Sequence, residues 1–518
     1  MSRASGLPSG WTTAKLEDLF LTITDGDHQP PPQSPTGVPF VVIGDIRNDS
    51  INLSDARFVK TAYYNSLPDQ KKPARGDLLY TVTGSFGIPV IVGSDDHFCV
   101  QRHIAILKPA KAANVRYIGL ALSTNAALQQ ATALATGTAQ KTVGLARLRS
   151  MTVPLAPTEQ QQRIVDALDS LLSRLDAAVA SLERAQAKLK AYRASVLKAA
   201  VEGRLVPTEA ELARKKGRSY EPADALLQRI LKERRRRWEE AELERTRAAG
   251  KAPKDDRWKT KYPEPEQPDT RNLPSLPEGW CWATVDQLSA KVFYGSSAKA
   301  GEESDGVPIL RMGNIIDGSL DLSYLKFLPL GHEEFPDLLL ESGDLLFNRT
   351  NSPELVGKSA LYGGIPSPCS FASYLICVRL LTGIEPQWVA HVINSPFGRQ
   401  WVWRVVTQQV GQANVNGSKL KALAIPLPPF EEQRACTSTT DMLFSNADVL
   451  QDTVQREVLR ISRLRQSILK LAFEGRLTDH GQDDEPADAL LARIRAERSA
   501  SEPAIRKPRS ARKLKAAS

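Results

Sequence analysis

At 518 residues, 42% of them hydrophobic, the chain can build several cores and three or four structural units, which excludes a disordered protein. A formal net charge of +9 and a pI near 9.2 suit a polyanionic partner, although ordinary soluble proteins also carry such an excess. The five cysteines (Cys99, Cys281, Cys369, Cys377, Cys436) are scattered and include no C-x-x-C pair, no run of eighteen apolar residues occurs, and MSRASGLPSGW lacks a signal-peptide core. These features argue against a disulfide framework, a zinc site, a membrane span and secretion, so a soluble cytoplasmic protein is expected.

The chain opens at LPSGW (Leu7 to Trp11), read as a turn followed by a strand. GVPFVVIGDI from Gly37 and ARGDLLYTVTGS from Ala74 predict short strands, because β-branched and apolar runs are bounded there by Gly, Pro and Asp. A helical stretch follows around Tyr117 to Ala133, then the polar loop TGTAQKTV from Thr136. VPLAPTEQQQR from Val153 forbids helix through its prolines and supplies a helical first turn, so a long helix should begin near 158. Along it Ile164, Leu168, Leu171, Leu175, Ala178, Leu182, Ala185, Leu189, Tyr192 and Val196 recur at alternating spacings of four and three, a heptad seam.

That helix ends in RASVLKAAVEGRL (Arg193 to Leu205), which returns as RQSILKLAFEGRL (Arg465 to Leu477) with nine of thirteen positions identical. EPADALLQRI at Glu221 returns as EPADALLARI at Glu485 with nine of ten, so roughly half the chain is duplicated. The earlier segments have echoes too: LPEGW (Leu276 to Trp280), GVPILRMGNI from Gly306, ESGDLLFNRTNS from Glu341, a helical stretch at Gln387 to Val406, GQANVNGS from Gly411 and IPLPPFEEQR from Ile425. Each half therefore starts with an α+β domain of about 145 residues. The second long helix should start near 430, with seam positions Cys436, Thr440, Leu443, Ala447, Leu450, Val454, Glu457, Ile461, Leu464 and Ile468. Thr440 and Glu457 break its pattern, and the polar run Thr437 to Thr440 suggests loosely packed first turns. Helices of about 45 residues would each be roughly 65 Å long, and two such seams most simply pack on each other.

Between the halves, Pro222 to Arg247 is a charged helix with RRRR at Arg234 to Arg237, either solvated and held by local ion pairs or docked on nucleic acid or a partner. Lys251 to Pro274 is a linker by composition, and the tail from Ser499, with six basic residues against one acidic, is expected to be disordered. The resulting division is 1–150, 151–205, 206–275, 276–424, 425–478 and 479–518.

Catalytic motifs return only near misses. GKS at Gly357 has Ser352 where a phosphate-binding loop needs glycine, and LPPF at Leu427 has leucine where amino-methyltransferases need a hydrogen-bond acceptor. None of the Pro-Asp pairs at Pro68, Pro268 and Pro336 is followed by a nuclease-type acidic-x-Lys motif, and the six histidines form no ligand cluster.

An α+β domain, a proline exit and a long helix ending in EGRL, repeated once, resemble the specificity (S) subunit of Type I restriction-modification enzymes over nearly the whole chain. The resemblance implies a non-catalytic DNA reader: two α+β target recognition domains separated by two long antiparallel coiled-coil-like helices with pseudo-twofold internal repeat. It implies a bipartite asymmetric site on double-stranded DNA, one half-site per domain, with the helices as a ruler. Partners would be two M (methyltransferase) subunits using S-adenosylmethionine for adenine-N6 methylation, and R (restriction/translocase) subunits using ATP and Mg. This chain would hold no cofactor and no metal. Seam residues Ile164, Leu168, Leu171, Leu175, Leu182, Leu189, Leu443, Leu450, Val454, Ile461, Leu464 and Ile468 would form the helix and subunit interface.

Reading bases takes forked or amide side chains, which favours Asn348, Arg349, Asn351 and Ser352, with Lys358 on phosphate, against a plain strand-to-strand turn. The matching strip of the first domain offers Thr81, Thr83 and Ser85, with His28 and Gln29 in a separate loop, where a lone histidine equally suits a surface. Gln140, Lys141, Gln412, Asn414 and Asn416 are further candidates, although Asn and Gln also suit turns. Rival readings are a self-contained restriction-methylation enzyme and a coiled-coil scaffold without sequence readout.

Overall fold

The computed structural model describes residues 6–27, 29, 31–47, 50–138, 140–250, 255–409, 412–481 and 484–501; His28 and the tail from 502 lie outside them. Two compact units emerge, and neither is a single stretch of sequence domain plus its following helix. One comprises Met1–Glu183 with Gln455–Ser518, the other Arg184–Val454. Each long helix, Thr158–Val201 and Phe430–Phe473, contributes one part to each unit.

Within each unit the recognition domain closes on itself. In the first, opening strand Thr12–Lys15 pairs antiparallel with Thr152–Leu155 at the proline exit; in the second, Cys281–Thr284 pairs with Ala424–Leu427. A four-stranded antiparallel sheet follows in each. Its order is Phe20–Asp25, Ile104–Pro109, Leu78–Thr81, Pro89–Ile91 in the first, and Ser289–Tyr294, Leu375–Leu380, Leu345–Asn348, Ser359–Leu361 in the second. The first three residues of each strand after the Gly-Asp turn are Leu, Leu and an aromatic because both faces are buried, successive side chains entering opposite cores. Leu78 and Tyr80 face the helices, and Leu79 joins Val41 and Ile106 on the other side. Leu345 and Phe347 repeat the first arrangement and Leu346 the second.

The Gly-Asp carboxylates are buried clamps. Asp77 accepts from the Ala74 N–H (2.8 Å) and from Lys108 (2.6 Å); Asp344 accepts from the Glu341 N–H (2.8 Å) and from Arg379 through Nε (2.8 Å) and Nη2 (2.7 Å). The helical stretches expected at Tyr117 to Ala133 and Gln387 to Val406 are each two helices. Val115–Leu122 and Asn125–Leu134 are separated at Thr124, and Pro386–Asn394 and Pro396–Val405 at Ser395, because each hydroxyl caps the following helix.

The duplicated motifs meet one another. In the second unit, EGRL of the first long helix packs on LPEGW, and the Ala223 N–H at the start of helix Ala223–Ala248 donates to the Gly279 carbonyl (2.8 Å). In the first unit, the second EGRL packs on LPSGW, and the Ala487 N–H of helix Ala487–Ser501 donates to the Gly10 carbonyl (2.9 Å). Each echo helix thus belongs to the core of the domain whose opening motif it touches, through Leu226 and Ile230 or through Leu490, Leu491 and Ile494.

The opening tryptophans tie each domain to the long helix that follows its proline exit. Trp11 Nε1 donates to Gln160 and Trp280 Nε1 to Glu432, both at 2.9 Å, while Gln161 and Gln433 donate to the carbonyls of Ala156 and Pro428. Glu432 also accepts from the Glu209 N–H (2.9 Å). Burial pushes its carboxyl up from the ordinary value of 4.5; the two N–H donors oppose this, and Glu209 and Glu211 add to it. A raised carboxyl holds its proton more tightly folded than unfolded, so its contribution is full below 4.5 and is lost as pH rises through the folded value. Urea unfolding at stepped pH should therefore show Glu432→Gln gaining stability relative to the parent across that window. A constant difference would contradict the buried, raised carboxyl.

Several expectations need correction. The polar start of the second long helix is not loosely packed: Cys436, Thr437 and Thr440 are buried, and Thr437 Oγ1 donates to the Arg434 carbonyl (2.9 Å). Conversely, seam residues Leu450 and Leu464 are 55% and 47% exposed, and Tyr192 is exposed as well, so the seam does not seal continuously. Leu172, one position off the seam, is buried beside Ile164 and Leu168. The stretch from 251 is not wholly a linker. Residues Asp256–Lys261 form a short 3-10 helix, Trp258 stacks on Trp238 (5.4 Å separates Trp238 from Tyr262), and Tyr262 is buried. The arginine run faces this strap and its own acidic neighbours: Arg234 donates to Tyr262, and Arg236 pairs with Glu233 and Glu240.

Burial pushes the Cys99, Cys281, Cys369 and Cys436 thiols up to about 12, which disfavours the thiolate form. Among the described residues no helix is long and apolar enough to cross a membrane.

Candidate nucleic-acid interface

Strand Leu345–Asn348 runs out of the second core at Asn348, and the chain continues into Thr350–Asn351, which pairs antiparallel with Gln412–Asn414. That strand pairs in turn with Thr407–Gln409. Two candidate strips far apart in sequence are thereby joined: Asn414 Nδ2 donates to Thr350 Oγ1 (2.7 Å), and the Val415 N–H donates to the Arg349 carbonyl (2.9 Å). Gln412 is exposed, whereas the Asn416 carbonyl oxygen Oδ1 caps Lys419 (2.9 Å) and serves the local turn.

Arg349 lies over the Tyr294 ring (4.8 Å to the centroid) and donates to the Ser373 carbonyl (3.3 Å). Tyr294 is fixed in turn by the Gly417 N–H, which donates to its hydroxyl (2.7 Å). Asn351 Oδ1 accepts from the Ser352 N–H (2.8 Å), starting a loop that Arg399 holds from behind by donating to the Val356 (2.5 Å) and Glu354 (3.0 Å) carbonyls. Gly357, at φ +82°, returns the chain to the sheet, which is the structural reason for the glycine in GKS. Asn348, Asn351 and Lys358 line one cleft of about 680 Å³ with Arg311 and Tyr374.

The matching strip of the first domain is spent differently. Thr81 is buried and its Oγ1 accepts from the Ile88 N–H (3.0 Å); Thr83 is buried and its hydroxyl accepts from Thr142 Oγ1 (3.2 Å). Neither hydroxyl faces outward. Ser85 is exposed, and the Gly84 N–H donates to the Lys141 carbonyl (3.1 Å), which brings exposed Gln140 and Lys141 to the same edge. Gln29 is exposed on a separate loop, next to Asp27, which Lys71 (2.6 Å) and Tyr63 (2.8 Å) hold.

Arg311, Tyr294 and Tyr374 escaped the reading from sequence. A signal existed for Arg311: in the aligned copies GVPFVVIGDI and GVPILRMGNI it stands where the first has Val42. The backbone there is the same in both, since Asp45 accepts from the Val42 N–H (2.8 Å) and Asn314 from the Arg311 N–H (2.9 Å). A conserved turn thus presents an apolar side chain in one copy and a guanidinium in the other. The assembled edge offers amides, guanidinium groups, an ammonium and exposed aromatic rings, a set suited to phosphate and base contacts. Among the described residues no group of three or more His, Cys, Asp or Glu could hold a metal ion.

Residues 8–184 match the family described as Type I restriction modification DNA specificity domain. Over 96% of its length the chain is 24% identical to the Type I restriction enzyme EcoKI specificity subunit of Escherichia coli (strain K12), of which 97% is covered. It is equally 24% identical, with the same coverage of both chains, to the Type I restriction enzyme StySPI specificity subunit of Salmonella potsdam. A chain solved in work on assembly and conformational transition of the type I R-M system superposes with a TM-score of 0.60 at 17% identity, covering 91% of this chain and 99% of that one, a likeness of fold.

Proposed function

We propose that this chain, which belongs to the specificity subunits of Type I restriction-modification systems, reads a bipartite, asymmetric DNA site with one half-site per recognition domain. As such a subunit it is a DNA-recognition component and not a catalyst. The carrying observation is a shared scaffold with unlike edges: the same strand ends in Thr81, spent on an internal bond, and in Asn348, which is not; the same turn presents Val42 and Arg311. Two domains built alike and lined differently suit two different half-sites.

In this reading the M subunits methylate adenine at N6 with S-adenosylmethionine, and the R subunits supply ATP- and Mg-dependent restriction. Two M subunits match the two copies of the repeat. The exposed apolar side chains of the second long helix, Met442, Val449, Leu450, Leu459 and Leu464, supply surface for such partners. Arg349, Asn351, Ser352, Lys358 and Gln412 in the second domain, and Gln29, Ser85, Gln140 and Lys141 in the first, remain the proposed DNA contacts.

The test is adenine-methylation mapping of host DNA with and without this chain, the M subunit being present. Loss of methylation at one gapped, asymmetric motif is expected. An unchanged pattern with an active M subunit would overturn the proposal.

A further inference from the structure

Asn348 is 1% exposed, and neither its amide oxygen nor its amide nitrogen has a hydrogen-bond partner within the protein. Its backbone is fully engaged: its N–H donates to the Lys358 carbonyl (2.9 Å) and its carbonyl accepts from the Gly357 N–H (2.7 Å). The strand end is therefore fixed, and the buried amide lies in the lining of the cleft with a donor and an acceptor side by side, both unspent. An orphaned buried amide is costly, and such costs concentrate where a ligand supplies the missing partners. The Nε of Arg311, on the wall of the same cleft, is likewise unpartnered, with its guanidinium over the Tyr324 ring (5.9 Å). Leu355 and Tyr374 stand exposed at the rim.

We infer that Asn348 is the specificity-determining residue for an adenine in the half-site read by the second domain, its amide pairing with the adjacent N6 donor and N7 acceptor of that base. The inference rests on the DNA-reading proposal above. An asparagine amide matches that donor–acceptor edge, and no other base presents it in the major groove. Arg311 and Lys358 then bracket the base with positive charge for the flanking phosphates, and Leu355 and Tyr374 turn aside to admit the base edge. The first domain makes no such contact at the equivalent strand end, because Thr81 is satisfied internally.

The experiment uses the complex of this chain with its M subunit, carrying wild-type, Asn348→Leu or Asn348→Thr chain, the last being the residue type the duplicated scaffold already accommodates. Motif mapping should show one A·T position of one half-site losing roughly ten- to hundredfold of its discrimination in both variants, the other half-site being untouched. The thermal midpoint without DNA should be unchanged or higher, since an unsatisfied amide has been removed. On synthetic duplexes, 7-deazaadenine at that position should weaken binding by the wild-type complex and leave the Asn348→Thr complex indifferent. Unchanged discrimination at every position overturns the inference, as does a lowered midpoint in both variants, which would make the amide structural, or wild-type binding indifferent to 7-deazaadenine. A wild-type complex with no gapped motif at all would instead overturn the DNA-reading proposal itself.

Discussion

Asp344→Ala should lower the unfolding free energy of the second unit by about 3 kcal/mol, the low end of the range for breaking a buried pair because Arg379 keeps some contact with solvent. The carboxylate is 1% exposed, accepts both forks of the Arg379 guanidinium and caps the Glu341 N–H. Its removal leaves Arg379 with Glu341 and the Leu339 carbonyl, and leaves the turn N–H unpaired. Asp77→Ala, its counterpart, loses a point contact to Lys108 in place of a bidentate one, so about 2 kcal/mol is expected. Seven of the eight tryptophans lie in the second unit, so urea unfolding followed by tryptophan fluorescence reports Asp344→Ala directly. A change below about 1 kcal/mol would mean that the buried pair is no net anchor of the strand that carries Asn348.

These clamps also mark the limit of what the sequence made legible. GDLLY and GDLLF were recognisable as a turn and strand because glycine, aspartate and an apolar run carry local signals. Lys108 and Arg379, which complete the clamps, are brought in by strand pairing, and no spacing rule points to them. The heptad pattern placed both long helices, yet it set burial by residue type, expecting seam leucines to be covered and the polar first turns of the second helix to be loose. Burial follows what packs alongside, which is why Leu450 and Leu464 are exposed while Thr437 and Thr440 are not. Trp258 and Tyr262 were hidden inside a linker-like composition, since a strap against Trp238 needs only two well-spaced rings. The candidate edge of the second domain was partly legible: amides and arginines pointed to it, and the pairing of Thr350–Asn351 with Gln412–Asn414 gathered them. Asn348 was chosen from sequence for its side chain alone, and what sets it apart, an amide without partners beside Arg311, exists only in three dimensions.

The repeated EGRL has a physical cause that a single substitution exposes. Gly475 ends its helix at φ +68°, and a Cβ there would sit 2.3 Å from Pro8 Cγ; Gly203 is at φ +66°, with its Cβ position 2.5 Å from Pro277 Cγ. A left-handed residue costs about 1–2 kcal/mol outside glycine, and forcing a methyl into a packed contact about 1–3 kcal/mol more. Gly475→Ala and Gly203→Ala should therefore each cost roughly 2–5 kcal/mol, the first in the unit holding the first recognition domain and the second in the other. Gly217 separates the two contributions. It ends helix Glu209–Lys216 at φ +60° with nothing within 4 Å of its Cβ position, so Gly217→Ala should show the backbone cost alone. Hydrogen exchange resolves the units, and protection should fall at Trp11 and its partner Gln160 for Gly475→Ala and at Trp280 and Glu432 for Gly203→Ala. If Gly475→Ala costs no more than Gly217→Ala, the contact with Pro8 is not what ties EGRL to the LPxGW motif, and the shared motif answers only to the need to end a helix. If it costs the additional amount, the two motifs persist together because each is the other's packing surface.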